Sequence, residues 1–599
     1  MKRKGFQLFA DYPGPRFHII AREETTLAFH GRVYGSIDLP SILNNLMDIY
    51  EKNGDIDRIF RELEGDFSLL VFDHKKDRCM LGTDRFDRGE IYWFAEKPIS
   101  FFTHLPFFLK VTGIKPDLNM GPIWDRFATG ATTPPETLYK NIFTNVTGEY
   151  VCLNSHGEWK RFSYWSPLKV LRERSDKVEK EVESLVQEIR HCFIDKVSQE
   201  ISPYRRLGVG LSGGMDSAAI LGAARKVFDG EIIAVTIGPS GPDSPDLPRA
   251  RESARFNNSR HIEIYPCASD LEDFPLVMGS VAQPFRSAST FMNHQISKRV
   301  HDEGGECVLW GFGADLIFGN AGYCRLFFNK EGGRLPALIV DPLIWFLKTL
   351  PQHRYAVGAT SRLIWQRKPI EARMAERYFR VCKKPRYYQE KRLFRQEFVD
   401  LGREHDILKR ISNILYDGTD HIVGHLIEVD FKIVHMYHQV SGAHQICRNN
   451  LLDAIITYYN KDYAELNLLV PDRIRAMDNW NKYVLREAFK PLVHDNIYKG
   501  NRGACIIPWD RIISGPFREA VIRYLSSSSI IGKIFKVRHL PHLDRMIKHP
   551  GLMYLNLLGL ALWNEVTFNG ASPEIPLSEI LGYRWRRQDK HYPEQLNPL

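Results

Sequence analysis

Residues 207–227 read LGVGLSGGMDSAAILGAARKV. Leu207, Val209 and Leu211 are strand formers, and Gly208 and Gly210 between them leave that strand thin. Beyond Leu211 the pattern turns through Ser212, Gly213 and Gly214 and resumes with helical spacing. The two glycines permit backbone dihedrals and close approaches that a Cβ forbids. Their N–H groups, with the Ser212 and Ser217 hydroxyls, can line a concavity where the helix begins. The partial positive charge of a helix N-terminus favours an oxyanion there, phosphate above all. Asp216 falls in the first helical turn, and a carboxylate beside a phosphate repels it unless a cation lies between them. The pattern therefore calls for Mg²⁺. No Gly-Lys-Ser/Thr follows, so this is not a Walker loop. The plainer alternative is a tight turn with Asp216 as helix cap.

Residues 308–323, VLWGFGADLIFGNAGY, repeat the logic: an apolar strand, Gly311 and Gly313, then Asp315 opening a helix. Alone, Asp315 reads as a cap. Together with Asp216, at the carboxyl end of a neighbouring strand, it can share one magnesium ion over a triphosphate.

Around these loops strands and helices alternate, which predicts a parallel α/β sheet. Upstream the text is mostly β, from TTLAFHGRVYG through GDFSLLVFD to a last hairpin in YVCLNSHGEWKRFSYW. A polar helix, LKVLRERSDKVEKEVESLVQEIRHCFIDKV, bridges the two regions. This divides the chain into 1–165 and 166–599, with a helical, basic insertion at about 325–430. In that insertion residues 351–410 hold 16 Lys or Arg against 7 Asp or Glu, the ordinary composition of a solvated helical face. At 599 residues the chain exceeds one ordinary core, and 44% hydrophobic with 26% charged residues is a globular composition. No apolar run approaches the roughly 20 residues of a spanning helix, and no signal peptide is read at the start. Nine scattered cysteines without a CxxC pair argue against a zinc site or disulfide framework and suit the cytoplasm. Neither a nucleic acid nor a membrane partner is called for.

SGGMDS matches the pyrophosphate-binding loop of the ATP pyrophosphatases, and VLWGFGADLIFGNAGY resembles the SGEGADELFGGY stretch of the asparagine synthetase family. Residues 63–94 resemble the end of that family's glutaminase domain, and NKYVLREAFKPLV, residues 481–493, a helix near the end of its synthetase domain. The resemblance implies a doubly wound parallel sheet of the adenine nucleotide alpha-hydrolase type, behind an N-terminal α+β domain of the N-terminal-nucleophile glutaminase type. It implies ATP and Mg²⁺ as cofactors. Ser212, Gly213, Gly214 and Ser217 would hold pyrophosphate, Asp216 and Asp315 the metal, and Gly311 and Gly313 would shape the second loop. The backbone of Leu211, Val235 and Ile237 would hold adenine. A late cation, Lys499 or Arg502, would meet the transition-state charge.

The chain also departs from the family. Residue 2 is Lys2, and no Cys, Ser or Thr stands among the first ten residues, so the N-terminal domain is expected to be degenerate and without a nucleophile. HGRVYG, residues 30–35, stands where the family has Asn-Gly-Glu. Phe312 replaces a glutamate, and GAHQICRNNLLD keeps Arg448 but places Ile446 where the family has another. Trp310 and Phe312 are expected to wall an apolar substrate pocket, with His444 named as a candidate base. This profile is most similar to the lasso-peptide macrolactam synthetases. The expectation is an AMP-forming ligase that adenylates an Asp or Glu side chain of a core peptide and joins it to the peptide's N-terminal amine. A leader-peptide protease and a leader-binding partner would act with it. The alternatives are a small-molecule amide or β-lactam synthetase, and an asparagine synthetase using free ammonia.

Overall fold

The computed structural model describes residues 2–3, 6–9, 16–35, 38–129, 132–174, 181–239, 241–281, 284, 288–317, 388–415, 422–434, 440, 442–475, 482–500, 517–547 and 550–584. Arg502 and most of the basic stretch 351–410 lie outside them.

The N-terminal unit is built on two sheets. Six antiparallel strands form the first, in the order β11 (Trp159–Ser163), β10 (Glu149–Asn154), β6 (Arg78–Thr83), β5 (Gly65–Asp73), β4 (Thr25–Val33), β3 (Phe17–Ala21). The second runs β1 (Lys2–Arg3), β2 (Phe6–Phe9), β8 (Ile99–Phe102), β7 (Tyr92–Phe94), β9 (Ile142–Thr144). Strand β5 explains the unbroken apolar run from Leu69 to Phe72. Phe67, Leu69 and Val71 share one core with Leu43 and Met47 of helix Leu39–Asn53. Leu70 and Phe72 point the other way, into the core shared with Trp93 and Phe101 of the second sheet. A strand covered on both faces has no polar alternation to show.

The C-terminal unit carries an all-parallel sheet in the order β14 (Arg260–Ile264), β13 (Glu231–Ile237), β12 (Arg206–Gly210), β15 (Cys307–Leu309), β16 (Asp453–Ile455). From β12 the chain moves outward through β13 and β14, then returns across the sheet to β15 on the other side of β12. The order thus reverses between β12 and β15. In open parallel sheets, ligand crevices form beyond the carboxyl ends of the strands at such a switch point. The loops that leave β12 and β15 there are the two glycine-rich stretches singled out in the sequence.

Several expectations need correction. The bridging helix is two helices, Pro167–Arg174 and Val182–Ile201. Strands β14 and β16 carry no clear sequence signal. The apolar run around Val308 yields only three strand residues, because Trp310 leaves the ladder while its N–H still donates to the Ile455 carbonyl at 2.9 Å. Trp310 itself is core, 3% exposed, and not a pocket wall. It fills the space over Gly210, where a Cβ would stand 2.7 Å from its ring. That contact explains the thin strand.

Gly210→Ala should therefore lower stability by about 1–3 kcal/mol through overpacking, measured as a shifted urea midpoint. A Trp310→Leu background should absorb most of that loss in a double-mutant cycle. A neutral Gly210→Ala would show that the ring does not rest on this strand.

Candidate functional site

The loop after β12 is closed on itself. The Ser212 N–H donates to the Ser217 hydroxyl at 3.0 Å, the two hydroxyls lie 3.0 Å apart, and Ser217 donates to the Gly214 carbonyl at 3.2 Å. Gly213 sits at φ +68°, and a Cβ there would come within 2.6 Å of the Asp246 carbonyl. Helix Met215–Val227 starts at Gly214 without a side-chain cap, so its first N–H groups face the loop. Asp216 is thus not the helix cap.

The loop after β15 is pressed against this one. A Cβ on Gly311 would lie 3.0 Å from the Ser217 nitrogen, and Gly313, at φ +97°, lies under the Tyr459 ring. Only glycines allow the two loops to meet so closely. Their carboxylates meet at one cation that the sequence reading missed. The Lys482 ammonium lies 2.6 Å from Asp216 Oδ2, 2.8 Å from Asp216 Oδ1 and 2.7 Å from Asp315 Oδ1. The Lys482 side chain is 9% exposed, and its backbone holds φ +62°, a left-handed conformation unusual for lysine. Burial alone would lower its pKa, but the two carboxylates reverse that and hold it above the ordinary value, so the amine stays charged.

The turn that follows β16 supports the pair from below. The Tyr458 hydroxyl donates to the Asp216 carbonyl at 2.9 Å. Thr457 and Asn460 donate to buried Glu200 at 2.6 and 3.2 Å. Burial pushes the Glu200 carboxyl up to about 7 despite these bonds and the Arg88 charge.

The remaining expected residues are distributed as follows. Leu211 donates its N–H to the Val235 carbonyl at 2.9 Å and accepts from the Thr236 hydroxyl at 2.6 Å. Val235 and Ile237 close β13 beside the loop. Phe312 is partly buried and stacks on Trp310 with ring centroids 5.2 Å apart. Lys499 and Arg502 were the two candidates expected at the reacting phosphate, and of these Lys499 is among the described residues. It is instead at the surface, 69% exposed, with its ammonium on Asp495 at 2.7 Å. The short helix Asp495–Lys499 turns it outward into an i,i+4 pair.

His444 was expected among the substrate groups. It lines a cavity of about 350 Å³ between the two units, together with Arg32, Asp66, Arg88, Glu90 and Arg448, and neither Asp216 nor Asp315 borders that space. Here Arg32, standing in the HGRVYG element, pairs with Asp66 and bonds the Tyr204 hydroxyl and the Ala454 carbonyl. Arg16 forks onto Asp453. Burial would raise both carboxyls, but Arg88 and Arg32 hold Asp66 far below the usual range, and Arg16 and Arg32 bring Asp453 down to about 2. Burial pushes the His444 imidazole down to about 4, against the attraction of Asp66. A group with so low a pKa is a weak base near neutrality.

Asp216 and Asp315 fit a magnesium ion arriving with a nucleotide. Mg²⁺ takes one or two carboxylates plus phosphate oxygens rather than an all-protein cage. This pair already shares one positive charge.

A parallel sheet whose switch-point loops carry a glycine cradle and paired carboxylates defines an α/β domain of the nucleotide-binding kind. Residues 188–563 match the asparagine synthase family, and residues 21–165 match a glutamine amidotransferase domain. The chain belongs to the asparagine synthase family. It is 23% identical over 354 residues to a putative glutamine-hydrolysing asparagine synthetase 2 of Methanocaldococcus jannaschii, covering 56% of this chain and 64% of that one, just under two thirds of the relative. It is 18% identical over 529 residues to the glutamine-hydrolysing asparagine synthetase 1 of Bacillus subtilis, covering 85% of this chain and 80% of that one. Among solved structures, it is similar to an NH3-dependent NAD synthetase from Campylobacter jejuni at 10% identity and TM-score 0.19, covering 39% of this chain and 99% of that one. A glutamine-dependent NAD+ synthetase from Acinetobacter baumannii, solved with ADP, is similar at 15% identity and TM-score 0.18, over 50% of this chain and 61% of that one. Among the described residues no helix is long and apolar enough to cross a membrane.

The His444 imidazole resonances should stay at their neutral positions from pH 8 to pH 5 in a site-labelled NMR titration. Because the unfolded imidazole takes up its proton near 6.5 and the folded one near 4, this group's share of stability is intact above pH 6.5. It is lost as the pH falls towards 4. A midpoint near 6.5 in the folded protein would mean that the cavity is open to water.

Proposed function

We propose that this protein is an ATP-dependent amide-forming ligase that activates a carboxylate as its acyl-adenylate. The observation that carries this reading is the single ammonium of Lys482 on both Asp216 and Asp315, beside a glycine loop at the switch point. Asp216 and Asp315 would hold Mg²⁺, which neutralises phosphate charge when bound. The Ser212–Gly214 backbone and the first turn of helix Met215–Val227 receive the pyrophosphate end of the nucleotide. Lys482 reaches the same point from a third segment of the chain and can follow negative charge as it moves from carboxylate to phosphate. The substrate oxygen attacks the α-phosphorus, pyrophosphate leaves, and an amine then displaces AMP from the acyl carbon.

The finer reading is a peptide macrolactam synthetase of the lasso type, in which both the acid and the amine belong to one peptide. Holding them together raises their effective concentration without further chemistry. Partly exposed Phe312, stacked on Trp310 where the family has a glutamate, supports an apolar contact surface in place of an ammonium anchor. Arg448 is engaged elsewhere, with Glu90 3.6 Å away across the domain boundary. The N-terminal unit then serves as a support, and the nitrogen comes from the substrate. A leader-peptide protease and a leader-binding partner complete this proposal.

Incubation with Mg-ATP and a candidate core peptide should release AMP and pyrophosphate in step with loss of one water from the peptide. Asp216→Asn, Asp315→Asn and Lys482→Met should each cut turnover by roughly 10²-fold or more, on the scale of lost charge-stabilising groups, while circular dichroism stays unchanged. ADP as product would refute adenylation. AMP release with free amino acids but with no peptide would leave the ligase and remove the macrolactam reading.

A further inference from the structure

Helix Leu247–Phe256 approaches the glycine loop from the β13 side. A Cβ placed on Gly213 would meet the Asp246 carbonyl at 2.6 Å and the Ala250 nitrogen and Arg249 Cβ at 3.4 Å each. Arg249 therefore rises from backbone packed directly on the loop. Its guanidinium ends at Gly500, where a Cβ would stand 2.9 Å from Nη2 and 3.0 Å from Cζ. Arg486 reaches the same glycine from helix Tyr483–Phe489, the helix that Lys482 precedes. Its Nη2 donates to the Gly500 carbonyl at 3.2 Å and its Nη1 to the Tyr498 carbonyl.

Two guanidinium groups thus converge on one residue, and one of them springs from backbone packed on a loop built for an oxyanion. Like charges at this range repel, and the strain registers on Arg486, whose pKa is lowered by burial and by Arg249 in spite of Asp216. A multiply charged anion turns that repulsion into attraction. Arginine forks match phosphoryl oxygens better than any other side chain does.

We propose that Arg249, with Arg486 beside it, binds the terminal phosphoryl groups of the nucleotide and the pyrophosphate that leaves. This rests on the adenylation reading above and adds to it a residue on a different helix from either carboxylate. In that step the substrate oxygen–phosphorus bond forms at the α-phosphorus, and the bond from the α-phosphorus to the bridging oxygen breaks. The electron pair leaves with pyrophosphate, and the two guanidinium groups meet the charge that accumulates there. On this assignment the arginines would act on the pyrophosphate end and leave adenosine and the α-phosphate to other residues.

The test is calorimetric binding of Mg-pyrophosphate and of AMP to the full chain, in the parent protein, Arg249→Ala and Arg249→Lys. Arg249→Ala should weaken pyrophosphate at least tenfold and leave AMP within twofold, the AMP arm serving also as a control for folding. Arg249→Lys should recover part of the loss, and the salt dependence of pyrophosphate binding should flatten in Arg249→Ala. Unchanged pyrophosphate affinity in Arg249→Ala overturns the assignment while leaving adenylation intact. Equal loss of AMP and pyrophosphate also overturns it, because the arginine would then be supporting the fold. If the parent protein binds neither ligand, the adenylation reading fails and takes this assignment with it.

Discussion

Two carboxylates facing each other in a partly buried cleft stay ionised only with a cation between or beside them; otherwise one takes up a proton. In this protein that constraint organises the whole C-terminal unit. Asp216 and Asp315 come from loops almost a hundred residues apart. The strand order brings the loops together, and Gly210 and Gly311 remove the side chains that would hold them apart. Lys482 then supplies the shared charge from a third place in the chain. In the proposed reaction the same ammonium would supply positive charge to the nucleotide phosphate.

The second constraint lies at the other end of the short strands. β16 begins at Asp453, which is gripped by Arg16 of the N-terminal unit and by Tyr204, while Arg32 holds the Ala454 carbonyl. Four residues after Ala454, Tyr458 bonds the Asp216 backbone. The N-terminal unit is thus coupled by direct contact to the edge strand that carries the floor of the site. In HGRVYG the arginine forms the domain boundary. That gives the unit a structural use whatever chemistry it performs.

How much was legible beforehand differs from element to element. SGGMDS could be read because the hydrophobic period changes from two to 3.6 across a pair of glycines, and the second loop repeats that signature. Both loops were found, and their aspartates do converge. Strand β14 was missed because RHIEI looks polar, and β16 because three residues carry no period at all. Trp310 was misread as a pocket wall, since an aromatic beside a glycine loop looks the same in text whether it faces a ligand or a neighbouring strand. Lys482 was within a stretch already noted, but a lysine just before an amphipathic helix is ordinarily a solvated one. Lys499 and His444 were plausible by type alone, and type does not give direction.

The sequence by itself determined the local chemistry: which turns bend through glycine, which carboxylates open helices, and that a parallel sheet separates them. These are properties of neighbouring residues, governed by backbone dihedrals and side-chain period. Only the tertiary structure decided that Lys482 serves both aspartates, that Lys499 faces solvent and that His444 lies between the domains. Each of those depends on contacts between segments distant in the chain, where packing and the balance of buried charge set a side chain's direction.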